Sequence, residues 1–326
     1  MGALDLKDRK ILYQLDINSR LPNSLIARKI GMSKQVVGFR LKRLIEENMI
    51  SSFYPIIDIS KLGFTVHKSF LRLQNLSKEK ESELISFLVS HENVVWVASC
   101  DGKFDLAFGT WAKDMQSLDK TLTQINKKFG DHISERQIAT IIRGDYFVRD
   151  YLVNKKQASS LRESFFGSTP SPMYLDISDW RILFLLAKNA RATAIDISKE
   201  VSLSPDAIGR RIKKLERSGI IKHYNVVPNE ENFPYLHYKV LVSFRSVSEK
   251  REKTLREYCR SNPSIIYSVK ALGPWDFEID LEVESVSQFR EIMMDMKTKF
   301  SEILKDYSTL QIYQVHKYNF CPSIQT

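Results

Sequence analysis

The chain has 326 residues, 43% of them hydrophobic and 27% charged, with a formal net charge of +10 at neutral pH. That length allows two to four domains and a sizeable core. No apolar run approaches the roughly 20 residues that cross a bilayer, and "MGALDLKDRK" lacks the apolar stretch of a signal peptide, so a cytoplasmic protein without a membrane partner is expected.

The excess charge is concentrated. Residues 1–50 carry ten Lys and Arg against five Asp and Glu, and 172–222 carry ten against six, whereas 51–147 hold twelve of each and 223–326 thirteen against fourteen. Two short basic blocks in an otherwise balanced chain are the footprint of a protein that binds a polyanion. Cys100, Cys259 and Cys321 are odd in number and far apart, which argues against a disulfide framework and against paired zinc ligands. No metal or cofactor is expected.

In chain order, the first segment reads as three helices: Leu6 to Ile17, with Ile11, Leu12 and Leu15 inward, Asn23 to Ile30, and Ser33 to about Glu47. Gly31 stands at the turn between the second and the third, Ser33 is a good N-cap, and Asn48 suits the left-handed end of a helix. Three short helices with a tight turn before the last describe a helix-turn-helix. A strand at 66–75, a helix at 77–91, strands at 94–99 and 105–110, a helix carrying Leu118, Leu122, Ile125 and Phe129, and a strand at 133–142 follow. This is β-α-β-β-α-β, the ferredoxin-like order, whose sheet has helices on one face and needs a partner on the other.

Residues 154–174, "NKKQASSLRESFFGSTPSPMY", read as a linker. The pattern then begins again. Shifting the chain by 171 places Leu4-Asp5 on Leu175-Asp176, Arg20 on Arg191, Ser33 on Ser204, Gly38 on Gly209, Arg40 on Arg211, Lys42 on Lys213, Gly102 on Gly273 and Asp105 on Asp276. One unit of about 150 residues therefore occurs twice, as tandem domains. The expected division is 1–60 (winged helix-turn-helix), 61–153 (ferredoxin-like), 154–173 (linker), 174–231 (winged helix-turn-helix) and 232–326 (ferredoxin-like), an α+β architecture.

"LDLKDRKILYQLDINSR", "IGMSKQVVGFRLKRLIEENMI" and "CDGKFDLAF", with their echoes "LDISDWRILFLLAKNAR", "VSLSPDAIGRRIKKLERSGII" and "LGPWDFEIDL", resemble the Lrp/AsnC family of prokaryotic transcription regulators. The resemblance implies double-stranded DNA as partner and ferredoxin-like (RAM) domains that dimerise and sense small effectors, often amino acids. Two units in one chain then look like a covalently joined dimer, open to further homo-oligomerisation, with the free sheet faces packed on each other.

The helical period turns Val37, Leu41 and Leu44, and Ile208, Ile212 and Leu215, inward on the third helix of each head. Outside lie Lys34, Gln35, Gly38, Phe39, Lys42 and Arg43 in the first copy, and Asp206, Gly209, Arg210, Lys213, Lys214 and Arg217 in the second. Gln35 suits bidentate pairing with adenine and Arg210 with guanine, while Lys42, Arg43, Lys213 and Lys214 suit phosphates. Phe39 either meets a thymine methyl or packs on its own second helix. Gly38 and Gly209 call for a close approach, by DNA or by a helix crossing beneath. With Phe39 opposite Arg210 and Gln35 opposite Asp206, the two heads are not expected to read the same sequence, and one of them is open to a weaker or purely structural role. Gly102, Asp105, Gly273 and Asp276 match the family's G-x-x-D turn, near which effectors bind, although turn geometry alone also explains them. Phe104 and Trp275 are expected in the core.

An enzyme is not expected. There is no phosphate loop, G-x-S-x-G or H-E-x-x-H, and the six histidines are scattered. The sirohaem decarboxylases share the resemblance, but their His-Asn-Tyr-Arg run is replaced here by "SCDGKFDLAFGTW" and "KALGPWDFEIDLE". The remaining alternative is an interaction module whose heads no longer bind DNA.

Overall fold

The computed structural model describes residues 4–153, 163–167, 169–319 and 321. Each head is a three-helix unit: α1 (Leu6–Ile17), α2 (Asn23–Ile30) and α3 (Lys34–Glu46) in the first, α6 (Ile177–Lys188), α7 (Ala194–Val201) and α8 (Pro205–Arg217) in the second. Ser33 and Ser204 cap α3 and α8 by accepting from Val36 N and Ala207 N. Gly31 and Ser202 take the left-handed conformation at the preceding turn, and Asn48 and Gly219 after the recognition helices. The caps and turns are local solutions to the orphan groups at helix ends, and they recur in both copies.

A strand follows each head, β1 (Ile50–Ile57) and β7 (Ile221–Pro228), and the two pair antiparallel. Beyond them β2 (Thr65–Leu73), α4 (Lys78–Ser90), β3 (Val94–Gly102), β4 (Leu106–Ala112), α5 (Met115–Phe129) and β5 (Ile133–Phe147) form the first ferredoxin-like unit. The second comprises β8 (Leu236–Phe244), α9 (Glu249–Ser261), β9 (Ile265–Leu272), β10 (Phe277–Val283), α10 (Val286–Lys299) and β11 (Leu304–Tyr318). β2 stops at Leu73, short of the expected end, because Asn75 turns left-handed there.

The sheets do more than pack face to face. Strand order is β5-β2-β4-β3 in one unit and β11-β8-β10-β9 in the other, β3 pairs with β11, and β9 with β5. The eight strands thus close into an antiparallel barrel, which removes every free sheet edge among them. Closure explains why β5 runs past its expected end at 142 to Phe147: its first half pairs with β2 and its second half with β9. β11 likewise serves β8 and then β3. A short strand, β6 (Glu163–Phe166), continues along β5, inside the stretch expected to be a plain linker. Residues 154–162 and 168 of that stretch lie outside the described residues.

Three apolar clusters follow from this arrangement. Leu84, Leu88, Leu118, Ile125 and Phe129 fill the space between helices and sheet in the first unit, and Leu255, Cys259, Met293, Met296 and Phe300 do so in the second. The third cluster runs through the barrel interior and into both heads. Phe104 and Trp275 are buried within it, and Phe70 meets Trp275 edge-on with centroids 4.8 Å apart.

Candidate nucleic-acid interface

The recognition helices are anchored by the same device in both copies. Arg40 reaches back to α1 to bond Asp5 and Asp8, each at 2.8 Å, and Arg211 bonds Asp176 at 2.7 Å and Asp179 at 2.7 Å. Asp8 and Asp179 are fully buried, so an unpaired carboxylate there would be costly. Arg43 and Lys214, expected to serve phosphates, also lean on these acids, at 2.6 and 3.3 Å. They sit at the edge of the outer face more than at its centre.

On that outer face Lys34, Gln35, Phe39, Lys42, Asp206, Arg210, Lys213, Lys214 and Arg217 are exposed, and Val37, Leu41, Leu44, Ile208, Ile212 and Leu215 are buried, as the helical period requires. Lys42 lies 3.5 Å from Glu46 in a solvent-exposed pair. Phe39 is 70% exposed. It does not pack on α2, which corrects that alternative. With Val36 one turn earlier, 41% exposed, it forms an apolar stripe on the face that carries Lys34 and Gln35.

The glycines are equally informative. A Cβ on Gly209 would meet nothing within 4 Å, and one on Gly38 only the Asn23 amide at an ordinary 3.6 Å. No helix crossing demands them. Neither has the positive φ that favours glycine, so nothing inside the protein offsets their cost of about 1 kcal/mol in a helix. The space they leave open is outside the molecule.

The heads are held together by exchanged contacts. Arg20 donates to the Ala190 and Ala192 carbonyls, and Arg191 to those of Ser19 and Leu21. Ser19 N bonds Tyr224 O while Ala190 N bonds Phe53 O. Every one of these pairs maps onto the other under the 171-residue shift, the mark of an isologous interface. Neither arginine nor the Arg40 and Arg211 anchors stood out as functional in the sequence; their only signal was identity across the shift.

At the central turns, Gly102 lies against the Thr309 carbonyl and Gly273 against that of Ile138, where a Cβ would come within 2.5 and 2.6 Å. Asp105 accepts from Leu73 N and Asp276 from Phe244 N, both at 2.7 Å. Beside Asp105 an open groove of about 720 Å³ is lined by Arg72, Asp101, Gln311 and Tyr313. The second copy places Leu272 and Ile142, both exposed, where the first has Asp101 and Tyr313.

The sequence profile of winged helix-turn-helix DNA-binding domains matches residues 4–51 and again 175–222, two stretches separated by the same 171 positions. Transcriptional regulator AzlB of Bacillus subtilis is 34% identical over 117 residues, which is 35% of this chain and 73% of that protein. The leucine-responsive regulatory protein of Rhizobium meliloti is 25% identical over 142 residues, 43% of this chain and 91% of the relative. The chain belongs to the Lrp/AsnC family of transcriptional regulators. Each of these relatives spans less than half of this regulator. The solved sirohaem decarboxylase NirDL aligns over 98% of the regulator and 95% of its own chain with a TM-score of 0.60, and at 13% identity the likeness is one of fold. No described helix of the regulator is long and apolar enough to cross a membrane.

Proposed function

We propose that this Lrp/AsnC regulator binds duplex DNA through both heads, with α3 and α8 each in a major groove, and that its site has two unlike halves. The observation that carries the reading is the outer face of the two helices. Equivalent positions on both hold exposed Lys42 and Lys213 and a glycine at which a Cβ would meet no clash, while the base-reading positions differ. In this reading Arg210 would pair with guanine, Gln35 with adenine, and the exposed Phe39 with a thymine methyl. Lys42, Lys213, and the rims formed by Arg43, Lys214 and Arg217 take phosphates. Asp206 would accept from cytosine or hold α8 off an unfavourable sequence.

A small effector, which the family resemblance implies is an amino acid, would be taken at the central turn of the first unit, where the groove beside Asp105 is polar. Its counterpart near Asp276 carries exposed Leu272 and Ile142 in place of Asp101 and Tyr313, and we assign these two side chains to contact between copies of the chain in a homo-oligomer. We place the protein in the cytoplasm with the DNA it reads.

The test is fluorescence anisotropy with genomic duplexes across a salt series. The logarithm of affinity should fall linearly with that of salt, by roughly 0.9 per phosphate contact. A flat salt response, or no binding at low salt, would rule the proposal out.

A further inference from the structure

Of the two arginines exchanged between the heads, only Arg191 reaches further. It donates through Nη1 to the Ser19 carbonyl at 2.5 Å and the Leu21 carbonyl at 3.2 Å, and its Nη2 continues to Asn23 Oδ1 at 3.2 Å. The Phe53 ring lies under the same guanidinium, 5.4 Å away. Asn23 is the first residue of α2 in the first head. Under the 171-residue shift its counterpart is Ala194, whose side chain has no polar atom, so the mirror-image bond from Arg20 cannot form.

The chemistry of the pair fixes which way the amide faces. A guanidinium has N–H donors and no acceptor, so the atom of Asn23 turned to Arg191 is the oxygen. The nitrogen is thereby turned towards α3, where it lies 3.6 Å from the position a Cβ on Gly38 would take. No hydrogen bond from this nitrogen occurs among the described residues. Gln35 and Lys42 stand one turn before and one turn after Gly38 on the outer face of α3. The amide thus holds two N–H donors beside the surface that the DNA reading puts in the groove.

The second head closes the same corner from within. Thr193 Oγ1 accepts from Asp196 N and Asp196 Oδ2 from Thr193 N, both at 3.1 Å. The first head has Pro22 and Leu25 at these positions, and neither can make such a bond. Where the second head exposes a carboxylate, which a phosphate would repel, the first presents donors.

We infer that Asn23 contacts a backbone phosphate of the first half-site through its amide nitrogen, and that Arg191 of the second head is the positioning residue that holds the amide in this orientation. The inference rests on the DNA reading above and adds a direction to it: the second head conditions how the first one binds, with no equivalent contact in reverse. A phosphate diester only accepts, so an amide turned half a revolution would set its oxygen against the phosphate and lose the contact. Glycine at position 38 suits this arrangement, because a longer side chain there would stand between the amide and the DNA.

The test is fluorescence anisotropy of the full chain on a duplex selected from a random pool by the unaltered protein, and on that duplex with a neutral methylphosphonate at one backbone position at a time. For the unaltered protein, neutralising the contacted phosphate should weaken binding roughly tenfold, the scale of one hydrogen bond to a charged group. Asn23→Ala and Arg191→Ala should each weaken binding by a similar factor and no longer respond to that one substitution, and the double variant should be no weaker than either. Asn23→Asp keeps the acceptor for Arg191 and removes the donors, so it should bind less well than Asn23→Ala. Arg20→Ala, which loses the mirror-image carbonyl bonds, should keep the full response at that phosphate. Asn23→Ala and Asn23→Asp leave the carbonyl clamp intact, so they decide the matter even where Arg191→Ala does not fold. Binding by either Asn23 variant equal to that of the unaltered protein, additive losses, or the same loss of response in Arg20→Ala would overturn the inference and leave the DNA reading standing. Failure of the unaltered protein to bind any duplex would overturn both.

Discussion

Tyr54 and Asn225 are Cα partners at the centre of the ribbon that joins the two heads, and they are 171 positions apart. Each is thus paired with its own counterpart, so the local two-fold axis passes between them. Phe53 with Val226 and Pro55 with Tyr224 follow as a matched set around it. The chain is in this respect a dimer, yet the axis residues themselves differ, and departures from symmetry lie on both sides: at the DNA face, where Phe39 stands opposite Arg210, and in the barrel, where Glu278, Asp280 and Glu282 of β10 match Ala107, Gly109 and Trp111 of β4.

Replacing Gly38 or Gly209 by alanine should stabilise the protein by roughly 0.5–1 kcal/mol each, because the helix gains propensity and the new Cβ meets no clash. DNA affinity should fall at the same time. Thermal unfolding and anisotropy on the same samples check this; lost stability would mean the glycines serve packing after all.

Arg210→Ala should cost about 1–3 kcal/mol of specific binding and relax the preference for guanine at one position. Phe39→Ala should act in the other half-site. There, thymine replaced by uracil should weaken the unaltered protein and have no effect on the Phe39→Ala variant, measured by competition with single-substituted duplexes.

Helices α1, α2 and α3, their caps and turns and the βαββαβ order were legible because they rest on local chemistry and an apolar period, and each was read twice. Barrel closure was not. Nothing in the sequence of β5 says that residues beyond Ile142 pair with a strand more than a hundred positions away, because strand partners are set by tertiary context. On the recognition helices the period sorted inside from outside, with Phe39 on the outer side, but it left open whether Phe39 packs on α2, which its 70% exposure decides against. The anchoring roles of Arg40, Arg211, Arg20 and Arg191 were hidden, since an arginine near DNA looks the same whether it binds phosphate or a buried aspartate.

Gly102→Ala and Gly273→Ala should each weaken the barrel. Both glycines have positive φ, and the new Cβ would lie about 2.5 Å from a carbonyl of the other unit. A loss of roughly 2 kcal/mol or more in urea unfolding is expected, by strain plus displacement, with the heads' own DNA contacts unaltered.

Stability should also fall above neutral pH through His237. Burial opposes its charged form, but the hydrogen bond to Asp280 and the nearby carboxylate of Glu230, 3.9 Å away, outweigh that and hold the pKa at about 9, above the ordinary 6.5. A folded-state pKa raised in this way contributes stability that is full below pH 6.5 and lost as the pH rises through about 9, on the order of 3 kcal/mol. Urea unfolding at pH 6 and pH 9.5 should show the loss, and Asp280→Asn should flatten it.

The most direct measurement is selection of bound duplexes from a random pool, followed by sequencing. The expected result is an enriched site with two unlike halves, one carrying a guanine whose preference disappears in Arg210→Ala. A perfect palindrome, a single half-site, or no enrichment at all would contradict it.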